Sequence, residues 1–379
     1  MIPYGKHSLS QDEIEVVKDV LENGWLTQGP KVGEFEQAIT EFVGCPYSCA
    51  VTNATSALHL SYLALGANSQ TVVWVPANTF VASSNAAAMC GSKIEFIDID
   101  LKTGSTTPEL LKLKLNESKA SNTLPDIVCI VHFAGHPVNM KEVQKLAEEY
   151  KFRVIEDASH AIGSTYTCGS YVGSCKYSDL TVFSFHPVKI ITTGEGGMIT
   201  GKSQALVDRC RVLRSHGIDR DLHSRGDSWE FDQTLLGYNY RMTDIQAALG
   251  LVQTSKISSF VLKRNAIADR YISEINRDLI DLILPIENAV SSYHLFPIIV
   301  ERRKEVFCTL RKKGIGVSVH YRPVYLNTYY RSMGFREGSC PNAESFYAGE
   351  ISLPIFPDLT YDEQSYIINE LNRACITRF

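Results

Sequence analysis

Five short, almost continuously apolar runs recur through the middle of the chain: TVVWV (71–75), IEFIDI (94–99), IVCIVHF (127–133), RVIED (153–157) and LTVFSF (180–185). Each has the length of a strand. A strand alternates its side chains between two faces, so one that is apolar at every position is buried on both. Helical stretches at 54–65, 108–117 and 139–151 separate the runs. Strands alternating with helices predict an α/β layered fold around a largely parallel sheet. In such sheets ligands bind beyond the carboxyl ends of the strands. Functional residues should therefore follow the runs.

The flanks add detail. Ser10 and Glu13 form a capping box ahead of a stripe of Ile14, Val17, Val20 and Leu21, with Gly24 at the C′ position of that helix. After about residue 255 the rhythm changes. An amphipathic helix (242–277) leads to a run at 293–300, a helix near 303–313, the run GVSVHY (316–321), a Pro/Gly/Tyr-rich loop and a final helix from about 361. This predicts a large domain over 1–255 and a smaller α/β domain over 256–379. At roughly 150 residues per domain, a chain of 379 accommodates two or three.

Composition narrows the class without naming the chemistry. A hydrophobic fraction of 44% and a charged fraction of 21% suit an ordinary globular protein. The net charge is −5, with no basic stripe, which argues against nucleic acid as a partner. No apolar run approaches the ~18 residues of a membrane span. The start, MIPYGKHSLSQDE, lacks the apolar stretch of a secretory leader. The ten cysteines include no CxxC, and several sit inside apolar runs, so free thiols and a cytoplasmic location are expected.

Two motif matches are set aside, and one expected motif is missing. GGMITGKS (196–203) fits a phosphate-binding loop pattern, but Met198, Ile199 and Thr200 read as a strand rather than a flexible turn. HFAGH (132–136) spaces two histidines for a shared metal on a helix. It follows a strand instead, and no third ligand is evident, so no metal site is expected. No GxGxxG follows the first run, which weakens a dinucleotide site.

Three other elements carry chemistry. Lys189, in SFHPVKIITTGEGG, stands between Val188 and Ile190 just beyond a strand. An ammonium in apolar surroundings loses basicity, which suits a Schiff-base lysine; the competing assignment is a lysine that reaches out to solvent. Asp157 ends a strand before ASHAIG, where a carboxylate serves either as partner to a pyridinium nitrogen or as a helix cap. NATSAL (53–58) opens a helix with small and hydroxyl residues. That makes an anion site, or else simple capping by Asn53 or Thr55. A phosphate site, a strand-end carboxylate and a buried lysine in one α/β domain together describe a pyridoxal phosphate enzyme.

At this level of detail the sequence resembles the DegT-type sugar aminotransferases, pyridoxal phosphate enzymes of fold type I that aminate nucleotide-linked keto sugars. The likeness runs from WLTQGPKVGEFE through NATSAL, VPANTFVASSNA, EDASHAIGS, FSFHPVKIITTGEGG, LRSHG and GYNYRMTDIQAALG to VHYRPVY, nearly the whole chain in order. It implies the aspartate aminotransferase-like fold: a mainly parallel seven-stranded sheet in the large domain, and a smaller C-terminal α/β domain. LTQG, FSFHPVKIITTGEGG and VHYRPVY suit members that act on UDP-linked 4-keto-6-deoxy N-acetyl sugars in pseudaminic acid biosynthesis.

The resemblance also implies roles. Lys189 matches the Schiff-base lysine, which also carries the proton between the amino donor and the cofactor. Asp157 matches the partner of the pyridine nitrogen. His160 matches the residue beside the cofactor's 3-hydroxyl, and Phe80 the aromatic that stacks on the ring. Ala54, Thr55 and Ser184 match the phosphate cradle. Asn239 matches a residue that reaches the phosphate from a neighbouring subunit, which implies a homodimer with shared active sites. Tyr4, Gly24, Trp25, Leu26, Thr27, Arg241, His320 and Tyr321 match substrate-facing positions. The implied partners are a UDP-keto-sugar and L-glutamate, with pyridoxamine phosphate between the two halves of a ping-pong reaction. Sugar dehydratases of the same fold carry histidine in place of the lysine, so Lys189 argues for the aminotransferase.

Overall fold

The computed structural model describes residues 1–121, 123–219 and 231–376. Its centre is a seven-stranded sheet of β1 (Tyr47–Val51), β2 (Val72–Pro76), β3 (Lys93–Ile97), β4 (Ile127–Val131), β5 (Arg153–Asp157), β6 (Leu180–Ser184) and β7 (Gly197–Gly201), in the order β1-β7-β6-β5-β4-β2-β3. The five strands from β6 to β3 are mutually parallel. β7 runs antiparallel to both its neighbours, β6 and β1. The carboxyl ends of the other six strands and the amino end of β7 therefore share one edge.

The apolar runs are explained by two cores, one on each face. In β4, Ile127, Cys129 and Val131 join one cluster, while Val128 and Ile130 join the other. In β6, Leu180 and Val182 face the first cluster and Phe183 the second. Fully burying one such side chain contributes about 1.5–3 kcal/mol, so a polar residue on either face would be costly.

The helices are α1 (Gln11–Asn23), α2 (Pro30–Val43), α3 (Ala54–Ala64), α4 (Ala82–Met89), α5 (Pro108–Ser121), α6 (Met140–Tyr150), α7 (Gln204–Arg214), α8 (Asp244–Glu274), α9 (Arg303–Lys312), α10 (Thr328–Ser332), α11 (Pro341–Gly349) and α12 (Tyr361–Ile376). The remaining strands are a two-residue pair, β8 (Ile218–Asp219) with β9 (Asp232–Gln233), and a small antiparallel sheet of β10 (Asp281–Leu282), β11 (Phe296–Ile299) and β12 (Glu350–Leu353). A third core joins the second half of α8 to this small sheet, α9 and α12.

The expected capping box is present, with Ser10 and Glu13 bonding reciprocally at the start of α1. Other details differ from the sequence expectations. Gly24 ends α1 with an extended backbone (φ −102°), so the chain leaves directly towards α2 and no left-handed turn is needed. GVSVHY forms no ladder: its bridge is Ser318 to Ser352, and the following residues wrap over the cleft. β1 is not legible in the sequence, because YSCAV is short and follows Pro46. The boundary placed at 255 falls inside α8, which runs unbroken through 31 residues. The first residues belong with the C-terminal layer, through a bridge from Ile2 to Ile315 and a bond from the Ile355 amide to the Tyr4 carbonyl. No helix among the described residues is long and apolar enough to cross a membrane.

Candidate active site

The shared strand edge opens into a cleft of about 770 Å³, closed on the other side by Tyr4, His320 and Tyr321. Each side chain on the sheet side arrives on a strand end or the turn that follows it. Asp157 is the last residue of β5 and is buried. Its Oδ1 accepts bonds from the amide (3.1 Å) and hydroxyl (2.6 Å) of Ser159, and its Oδ2 accepts from Ser83 Oγ at 2.6 Å. Three donors to one carboxylate fix its plane.

Lys189 lies in the long turn between β6 and β7. The turn is pinned by bonds from the Lys189 amide to the His186 carbonyl and from the Thr193 amide to the Phe185 carbonyl. Ile190 and Ile191, which follow it, are buried in the second core and anchor the turn. Burial lowers the Lys189 ammonium to about 8, against the charge of Asp157, which acts to raise it. Nζ lies 3.3 Å from His294 Nε2. His294 is itself buried, and burial together with Lys189 and His160 pushes it well below the usual histidine range. It therefore stands as a neutral ring in hydrogen-bond reach of the lysine. The buried Arg264 of α8 steadies this segment by donating to the carbonyls of Tyr293 (3.1 Å), His294 (3.4 Å) and Ile355 (2.9 Å).

His160 has a fixed tautomer. Its Nδ1 accepts from the Ala134 amide at 3.2 Å, so in the neutral ring Nε2 carries the proton, facing Tyr321 Oη at 3.2 Å. Burial, then Lys189 and His320, push its basicity well down, which keeps the ring neutral.

The first turn of α3 forms another wall. Asn53 caps it by accepting from the Ser56 amide. A helix leaves its first amides without intrahelical acceptors; those of Ala54 and Thr55, both in the cleft wall, have no partner among the described residues. β7 can approach this turn only because residue 197 is glycine: a Cβ there would sit 2.5 Å from the Asn53 carbonyl carbon and 2.7 Å from the Ala54 nitrogen. Ser184 ends β6 in the same wall, and Phe80 lies across the mouth with 58% of its surface exposed. The result is an anion-binding end, a flat aromatic face, and a carboxylate and an amine deeper in.

The cleft thus gathers Ala54, Thr55, Phe80, Asp157, His160, Ser184, Lys189, Tyr4, His320 and Tyr321. It does not gather the others. Asn239 is exposed and bridges to Ser215. Gly24, Trp25, Leu26 and Thr27 run past the start of α8, where Thr27 bridges Thr243, and Arg241 lines a separate hollow beside Gly29 and Glu36. Sequence reasoning missed Ser83, Ser159 and His294. Ser83 and Ser159 sit inside segments that carried the resemblance, but only the fold shows that both point at Asp157.

The sequence pattern of the DegT/DnrJ/EryC1/StrS aminotransferase family matches residues 7–372. The chain belongs to this family of sugar aminotransferases. It is 37% identical over 377 residues to the UDP-4-amino-4,6-dideoxy-N-acetyl-β-L-altrosamine transaminase of Campylobacter jejuni, an alignment covering 98% of this chain and 96% of the relative. It is 33% identical to the Bacillus subtilis spore coat polysaccharide biosynthesis protein SpsC, over 97% of this chain and 95% of that one. Among solved structures, this aminotransferase superposes on Helicobacter pylori PseC, an aminotransferase of pseudaminic acid biosynthesis, with a TM-score of 0.90, 30% identity and 99% of both chains covered. The Spr1654 protein of Streptococcus pneumoniae, in its PMP form, gives 0.91 at 30% identity, again over 99% of both chains.

Proposed function

We propose that this sugar aminotransferase uses pyridoxal phosphate to move an amino group from L-glutamate to C4 of a UDP-linked 4-keto-6-deoxy N-acetyl hexose, giving UDP-4-amino-4,6-dideoxy-N-acetyl-β-L-altrosamine. The observation that carries the reaction type is the half-buried Lys189 of lowered basicity, in one cleft with a triply bonded Asp157 and the unpartnered first amides of α3. The choice of sugar leans on the 37% identity with the Campylobacter transaminase across nearly the full length of both chains.

The residues fit the cofactor in size and chemistry. Bound, it supplies an electron sink for the carbon that loses its proton. The Ala54 and Thr55 amides, with Ser184, hold the phosphate at the positive end of α3. Asp157, held in place by Ser83 and Ser159, would pair with the ring nitrogen. Phe80 and His160 would stand beside the ring, and Lys189 would be the nucleophile that tethers the cofactor and the amine that moves the proton in each half-reaction. An amine titrating near 8 can both take and return a proton at neutral pH.

Gly24–Thr27, Asn239 and Arg241 lie outside the cleft of their own protomer. They are the residues a second copy carries to it, so the active unit is a homodimer. Trp25 and Leu26, 70% and 53% exposed, supply apolar surface for that contact.

A substrate panel tests the reading. The protein is incubated with glutamate and UDP-, dTDP- and GDP-linked 4-keto-6-deoxy sugars, and the aminated product is identified with its stereochemistry. Turnover of only a dTDP or GDP sugar overturns the altrosamine assignment and leaves the aminotransferase standing. Borohydride reduction should abolish activity and label Lys189; a label elsewhere overturns the role of that residue.

A further inference from the structure

The C-terminal wall of the cleft carries a closed hydrogen-bonded chain behind His320. His320 Nδ1 lies 2.8 Å from Ser352 Oγ, and Ser352 Oγ lies 2.5 Å from Glu350 Oε1. The other oxygen, Oε2, accepts the backbone amide of His320 at 2.7 Å. One carboxyl therefore grips the amide and, through a serine, the imidazole of the same residue. Glu350 and Ser352 are wholly buried on β12 and take no part in the cleft wall, whereas His320 lines it.

Burial, aided by Lys189, lowers His320 to about 3, so its ring is neutral and one nitrogen carries the proton. The chain behind it decides which. If Glu350 is ionised, Ser352 donates to it and accepts from Nδ1–H, leaving the Nε2 lone pair to the cleft. If Glu350 is neutral, it donates to Ser352, Ser352 donates to Nδ1, and Nε2–H faces the cleft. The distances suit both directions.

We propose that Glu350 and Ser352 are positioning residues that set the tautomer of His320, and with it whether Nε2 offers the bound nucleotide sugar a lone pair or a hydrogen. The identity of the ligand rests on the function proposed above; the relay itself does not. Burial raises Glu350 to about 8, opposed by Ser352, the His320 amide and the cationic Arg303 of α9. Lys189, His160, His294, Tyr4 (ring 5.7 Å from His320) and Tyr321 (4.8 Å) are further titratable groups around the chain. The reversal therefore falls near pH 8.

The test is side-chain nitrogen NMR of the holoenzyme labelled with ¹⁵N-histidine, with His320 assigned by its loss in His320→Asn. Wild type should carry the proton on Nε2 at pH 6.5 and on Nδ1 at pH 9.5. Glu350→Gln, whose carbonyl oxygen is taken by the His320 amide so that its NH2 faces Ser352, should hold Nε2–H at both. Ser352→Thr should behave as wild type, and Ser352→Ala should lose the pH dependence. Steady-state kinetics should show KM for the sugar shifting about 3–10-fold between the two pH values in wild type and in Ser352→Thr, the size of one hydrogen bond, and not in Glu350→Gln. A wild-type tautomer that is the same at both pH values, or a reversal that survives in Glu350→Gln, overturns the proposal. If Ser352→Ala does not fold, Glu350→Gln and Ser352→Thr still decide it. Failure to aminate any sugar counts against the function proposed above, while the NMR titration still decides the relay.

Discussion

The two walls of the cleft differ in electrostatic character. The sheet edge holds the groups that carry or exchange charge: Asp157 under three donors, Lys189 with its lowered basicity, and the amides at the positive end of α3. The opposite wall is crowded with titratable residues that burial keeps neutral. His320 is pushed well below the usual histidine range and Tyr321 well above the usual tyrosine range, and His294, behind Lys189 and outside the cleft lining, is likewise pushed down. A neutral wall leaves the field at Lys189 to Asp157 alone. On the function proposed above, the comparison implies a division of labour: the sheet edge would do the chemistry, and the C-terminal layer would orient what is brought to it.

The largest effect should come from removing the one amine. Lys189→Ala should lose at least about 10³-fold in turnover, the scale of an acid–base group that is also the nucleophile, and should lose the visible absorbance of the tethered cofactor. Residual activity within tenfold of wild type would break the division between the walls. Asp157→Asn is next. Losing a buried charge opposite a protonated ring nitrogen would cost about 3–5 kcal/mol, so kcat should fall about 10²–10⁴-fold with the fold intact by circular dichroism.

The third prediction is a pH profile. Only the neutral Lys189 amine captures the cofactor. Its basicity is lowered from 10.5 to about 8, so the neutral fraction grows as pH rises to about 8 and then levels. Reconstitution of the cofactor-free protein, followed by absorbance, should be about 100-fold slower at pH 6 than on the plateau. A rate still climbing tenfold per unit at pH 10 would mean the lysine is solvated. The smallest effect belongs to the neutral wall. Tyr321→Phe removes one bond to His160 Nε2, worth about 0.5–1.5 kcal/mol, and should cost about 3–10-fold. A loss as large as that of Asp157→Asn would erase the contrast.

The legibility of the sequence follows the same divide. The strands β2 to β6 are readable because burial on both faces leaves a continuous apolar signature, and β4 and β6 divide their residues between two cores as that signature requires. Asp157 and Lys189 are readable because they stand at or just beyond the ends of such strands. Ser83 is not: it sits 74 residues from Asp157, and its hydroxyl looks like any other in a small-residue helix. His294, Glu350 and Ser352 come from a layer whose strands are short and irregular. GVSVHY has the pattern of a strand, yet it serves as a strap over the cleft, tied by the bridge from Ser318 to Ser352.

The sequence by itself determined the layered fold, the strand edge at which the cleft opens, and the placing of Asp157 and Lys189 in that cleft. These depend on local pattern: apolar runs, a capping box, and a charged residue at the end of a strand. Tertiary structure alone decided which hydroxyls hold Asp157, that Lys189 rests on His294, which nitrogen of His160 carries the proton, and that Glu350 reaches His320 through Ser352. Those contacts join residues far apart in the chain, and a hydrogen bond a few ångströms long leaves no mark on the sequence spacing between its partners.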